Sequence, residues 1–153
     1  MSEATIQTGI KTQIQAMAEF ADADVVVNDW SILDQGNAAA PYVIISDADA
    51  FSSRQDSKTA VTTWDIVVTL CEAFSDWTTT LNNLRTRRQA LIDNFNAVGD
   101  ARSADGLTAV TVDEIRSEGP ITPYYGPYLR ADDMAEALPQ FLNQSMIFVT
   151  QEF

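Results

Sequence analysis

The chain has 153 residues, 22 of them Asp or Glu and only 9 Lys or Arg, which gives a formal net charge of −13. That balance argues against a nucleic-acid reader, which holds phosphates through clustered Lys and Arg, and against docking on an anionic membrane. With no histidine and a single cysteine, Cys71, the chain has no Ser-His-Asp or Cys-His catalysis, no His-ligated zinc and no internal disulfide.

A hydrophobic fraction of 46% is ordinary for one folded domain that buries its core without metal or disulfide. Met1 to Thr5 lacks the basic residues and apolar core of a signal peptide. No apolar run reaches membrane-spanning length. A soluble product, made and kept in the cytoplasm, is the expectation.

Ile6, Ile10, Ile14 and Met17 recur at helical spacing, with Gln7, Lys11 and Gln15 opposite, and Phe20 and Ala21 extend the apolar side. Val25 to Val27, followed by Asn28, Asp29 and Trp30, read as a first strand. A loop centred on Gln35, Gly36 and Asn37 follows. Pro41 then leads into Tyr42, Val43, Ile44 and Ile45, apolar on both faces and so an internal strand. Residues 46–59 are polar and small, longer than a usual hairpin connection, and read as a binding arm with Phe51 as its lone apolar anchor.

Trp64, Ile66, Val68 and Leu70 alternate with Thr63, Asp65, Thr69 and Cys71, the mark of a strand with one apolar face. Cys71 inside it reads as a buried structural thiol. Ser75 and Asp76 are caps for a long helix whose stripe runs through Trp77, Leu81, Leu84, Leu91, Phe95 and Val98, with Gly99 placed to end it. After a turn-rich linker at 100–106, residues 107–117 form another strand. Residues 119–139 hold Pro120, Pro123, Pro127 and Pro139 with Tyr124, Tyr125 and Tyr128, and read as a Pro/Tyr-rich loop. Met146 to Val149 centre the last strand. The fold predicted is α+β, a mostly antiparallel sheet of about five strands with two helices packed on one face, in a single domain spanning 1–153.

Each cluster that carries chemistry has a plainer counterpart. Asp22 and Asp24, with Asp47 and Asp49, form two Asp-Ala-Asp pairs; calcium loops use alternating carboxylates but add further ligands that do not follow here, so solvated turns are the reading. Paired carboxylates also serve glycoside hydrolysis, a weak signal in so acidic a chain. Arg85, Arg87 and Arg88 form the basic cluster. At about 100° per residue Arg88 falls near the centre of the apolar stripe, with Arg85 and Arg87 on opposite flanks. It either snorkels or meets a carboxylate. Glu72 points toward this helix but lies level with Arg85 rather than Arg88, which favours a partner for Arg88 on a neighbouring subunit. Tyr124, Tyr125 and Tyr128 either form a stacking platform or, the favoured reading, pack a loop or fill a protein interface.

The plan as a whole resembles the tail terminator (tail-completion) proteins of long-tailed bacteriophages. The likeness runs through the N-terminal helix, Pro41 to Ile45 as an early strand, the polar arm, Trp64 to Leu70, the Arg-bearing helix from Trp77 to Val98, and Met146 to Val149 as the closing strand. It is one of pattern and length, and it does not predict the segment 119–139. The resemblance implies a structural virion protein at the tail–neck junction, not an enzyme. It implies a ring, typically a hexamer, that caps the tail tube, stops its polymerisation and joins it to the head connector. Its partners would be other copies of itself, the tail tube protein and the head–tail connector, with DNA only passing through the lumen and no cofactor. Phe51, Arg54, Lys58, Arg85, Arg88, Tyr124, Tyr125 and Tyr128 are the candidate interface residues. The alternatives are a head-closure or minor tail protein of the same neck region, or a non-viral protein-binding adaptor.

Overall fold

A computed structural model describes residues 3–31, 41–54, 60–97, 110–125 and 138–152. Their elements are α1 (Glu3–Gln15), β1 (Asp24–Val27), β2 (Tyr42–Arg54), β3 (Ala60–Ala73), α2 (Trp77–Ala97), β4 (Val110–Tyr124) and β5 (Phe141–Glu152). The described strands form one five-stranded sheet in the order β1-β2-β3-β5-β4. Every pairing is antiparallel except β1 with β2. The predicted α+β class is the observed one.

Strand alternation sorts the sheet into two faces. Register puts Val43 opposite Leu70, Ile45 opposite Val68, and Val68 opposite Met146, so these side chains share a face. Both helices pack there: Ile6, Ile10 and Ile14 of α1, with Leu84, Leu91 and Phe95 of α2, close one core with Ile66, Leu142 and Phe148. Phe95 meets Phe148 edge-on at 4.9 Å between ring centroids, an arrangement that suits the ring quadrupoles. Among the described residues neither helix contributes to the second apolar cluster, on the opposite face, where Tyr42, Ile44, Cys71 and Phe141 are buried.

Several expectations about boundaries need correction. The first helix ends at Gln15, and Met17 and Phe20 reach the core through a short 3-10 turn, Ala18–Phe20. Gln7 does not face solvent: it is buried and donates to Asp47. β1 stops at Val27 because Asn28 adopts a φ of +54°, a left-handed conformation that Asn tolerates. Residues 46–54 are no loop: they continue β2 against Ala60–Val67 of β3, with a bulge between Asp47 and Ala50. Asp47 and Asp49 therefore lie in a strand, not a turn. β4 likewise runs on to Tyr124 through most of the supposed start of the Pro/Tyr loop. Its prolines sit on the outermost described strand, Pro120 within the break in register between Glu118 and Thr122, as expected of prolines in a sheet. Residues 55–59, 98–109 and 126–137, which include Lys58, Gly99 and Tyr128, lie outside the described set.

Candidate functional site

Two features distinguish the described surface: open sheet edges and a polar clamp at one end of the helix layer. β1 covers only Tyr42 to Ile45 of β2. Beyond Ile45, no described strand pairs with the outer side of β2, although the Asp47 N–H donates to Asn28 Oδ1 at 3.2 Å. At the other edge β4 presents 15 residues whose outer side pairs with no described strand. Unpaired rows of N–H and C=O groups are ready templates for another chain.

The clamp is built on Arg87. Its Nε lies 3.0 Å from Glu72 Oε2, its Nη1 3.3 Å from Asp22 Oδ1, and its Nη1 also donates to the Glu19 carbonyl oxygen. The guanidinium carbon stands 5.7 Å from the centroid of the Phe20 ring, within cation–π range. One side chain thus ties α2 to the end of β3 and to the turn between α1 and β1. Glu72 is 7% exposed and Arg87 17%. Burial pushes the Glu72 carboxyl above the usual range; Arg87 works against that rise and Asp22 adds to it.

The helix projection gives Arg87 only a place on the flank of the apolar stripe, opposite Arg85. Rise along the helix placed Glu72 level with Arg85, yet Arg85 is exposed and Arg87 takes the carboxylate. The two arginines differ by only about 3 Å along the axis but by about 200° around it. Azimuth decides, because an arginine easily spans one turn of height.

Arg88 also departs from expectation. Its Nη1 donates to Gln144 Oε1 at 2.6 Å, and Gln144 Nε2 in turn reaches the Gly119 carbonyl at 3.5 Å. Gln144 is buried on β5. Arg88 therefore has a partner inside its own chain, a neutral amide rather than a carboxylate. This contact needs no partner from a neighbouring subunit, contrary to expectation.

The remaining candidates do not converge. Phe51 and Arg54 pair with Thr63 and Ala60 at one end of the sheet. Tyr124 pairs with Phe141 at the other end, beside the half-buried Tyr125. These ends are separated by nearly the whole of β3, whose 14 residues span roughly 40 Å. Tyr124 packs against the Tyr42–Phe141 cluster, where those two rings stand 5.5 Å apart. Lys58 and Tyr128 lie outside the described residues.

Of the paired acids, Asp22 belongs to the clamp, and Asp47 accepts from Gln7 and, at 3.5 Å, from Asn28 Nδ2. Among the described residues no group of three or more His, Cys, Asp or Glu is placed to hold a metal. No described helix is long and apolar enough to cross a membrane.

No family model matches this chain. Nor does any curated protein. The reading of function therefore rests on the architecture and on the resemblance in sequence pattern.

Proposed function

We propose that this chain is a structural subunit of a phage tail-terminating ring, which caps the tail tube, stops its growth and joins it to the head connector. The observation that carries the reading is that no described strand pairs with the outer side of β4 or with that of β2 beyond Ile45. A small domain with both described helices on one face, and with described edge strands that take no further described partner, suits head-to-tail association. Heterologous contacts of that kind close into a ring when the rotation per subunit allows. In this reading the far part of the β2–β3 ladder, where Ser46 to Arg54 pair with β3, takes the place of the expected arm and meets a neighbour or the tube.

The acidic charge fits the same role. A ring that lets DNA through without retaining it is best lined with carboxylates, since Lys and Arg would bind phosphate. The proposal gives the chain no catalytic step, cofactor or membrane contact, and places it in the virion at the tail–neck junction after synthesis in the host cytoplasm. Its partners are further copies of itself, typically in a ring of six, the tube protein and the connector.

Sedimentation at micromolar concentration, with negative-stain microscopy of the same sample, tests the self-association. A closed ring supports the reading. A persistent monomer, with and without tube protein, contradicts it and favours the adaptor reading.

A further inference from the structure

On the sheet face opposite the helices, a bulge in β4 opens a cleft of about 240 Å³. The ladder between β4 and β5 slips between Glu118 and Thr122, and Gly119 adopts a φ of +70° there. That left-handed turn favours glycine, and residues 119–121 bulge opposite Gln144 before the ladder resumes at Thr122 and Asn143. Gln144 fixes the displaced segment from below by donating to the Gly119 carbonyl while accepting from Arg88.

The cleft is walled by Trp30, Thr69, Pro120, Asn143 and Ser145. Trp30 is 47% exposed, a large indole surface left in water. It is held in place by a turn in which Asp29 Oδ1 accepts from the Ser31 N–H at 3.1 Å. At the floor, Asn143 Oδ1 is buried and accepts no hydrogen bond, a condition that normally calls for an explanation. Beside it Thr69 Oγ1 and Ser145 Oγ lie 2.9 Å apart and share one hydrogen bond. Only one hydroxyl proton is used there, so the other is free for a further acceptor.

We propose that this cleft binds a neutral pyranose sugar. An indole face covers the apolar C–H face of such a ring, while Asn143 Oδ1 accepts a hydrogen bond from one sugar hydroxyl and the Thr69–Ser145 pair donates one to another. The size suits a single ring, since the volume lies below the roughly 300–1,000 Å³ of sites that take drug-sized ligands. Charge narrows the class. None of the described residues lining the cleft is charged, so a cation finds no carboxylate and an anion no guanidinium. A net charge of −13 further opposes acidic saccharides. The assignment does not depend on ring formation.

The test titrates the full chain with methyl β-D-glucopyranoside, methyl β-D-galactopyranoside and N-acetylglucosamine, following the three tryptophan indole N–H signals by NMR and, in every variant, saturation transfer from the protein to the sugar's own protons. At least one sugar should shift the Trp30 signal saturably, with a Kd of about 1 mM, as expected of a single weak site. Trp30→Ala and Asn143→Ala should each weaken that binding by about tenfold or more, equivalent to some 1.4 kcal/mol. Trp30→Phe should retain it, which separates loss of the aromatic surface from loss of folding. Trp77→Ala removes an equally exposed tryptophan on α2 and should leave binding unchanged. Absence of a saturable shift with all three sugars overturns the proposal. So does binding that survives Trp30→Ala, or saturable binding of methylguanidinium in place of sugars.

Discussion

Removing the guanidinium from the clamp should be one of the more damaging single changes on α2, and its cost should depend on pH. In Arg87→Ala, Glu72 keeps its position at the end of β3, 7% exposed, but loses its cation. Breaking a buried pair from one side costs about 3–5 kcal/mol, because the remaining charge is left uncompensated. Arg87 is itself 17% exposed and water can replace part of it, so about 2–3 kcal/mol is the expected loss at pH 7. For a domain of this size that lowers Tm by roughly 4–10 °C. The folded-state pKa of Glu72 is raised above the ordinary 4.5, so its protonated form is the better tolerated one. The contribution of Glu72 to stability is therefore full below the unfolded pKa and is lost as pH rises through the folded one. Without Arg87 that rise is larger, and the destabilisation should shrink as pH falls from 7 toward 4.5. Urea denaturation of both proteins across that range measures it. Arg85→Ala, at an exposed neighbouring position, serves as control and should stay within about 0.5 kcal/mol. An Arg87→Ala loss no greater than that control, or one that does not change with pH, would refute the reasoning.

The other predictions concern single elements. Asp76 Oδ1 accepts from the Thr79 N–H at 2.8 Å, and that hydrogen bond holds the Asp76 carboxyl below its ordinary pKa. Its contribution is present above the unfolded pKa and lost as pH falls through the folded one. Asp76→Ala should thus lower Tm at pH 7, with the difference narrowing in acid. Leu91 is fully buried between α2 and the sheet, and Leu91→Ala should cost about 3 kcal/mol in chemical denaturation. Arg88→Ala leaves the buried Gln144 oxygen without its charged donor and should cost about 1.5–3 kcal/mol in the same assay. The Cys71 thiol is 1% exposed and burial pushes its pKa up to about 12. A thiol reagent at pH 8 should leave it unmodified in the folded protein and label it quickly in urea.

The core was legible where side chains alternate against a helix stripe. Trp64 to Leu70 and the stripe from Leu81 to Phe95 announce their elements because burial on one face forces the pattern. The far half of β2 was not legible. From Asp47 onward its residues are mostly polar, so no apolar alternation marks the strand, and the ladder with β3 imposes extension on a sequence that reads as a loop. β4 misled in two ways. Its prolines signal a loop unless the strand is known to be an edge. The bulge between Val112 and Glu114 also brings Val112 and Ile115 to the same face, although strict alternation separates them. Both pack on the core. At the clamp, sequence supplied Glu72 and the arginines but paired them by height along the helix. The cleft at Trp30 depends on a bulge and on residues from four separate stretches, which no linear spacing reveals.

The central claim is that this domain is a building block that ends a tube. Purified tail tube subunits should be set to polymerise with and without the protein, and the lengths and ends of the tubes measured by electron microscopy. The account predicts short tubes bearing a collar at one end, in proportion to the protein added. Tubes that grow to the same length in both samples, with bare ends, would contradict it.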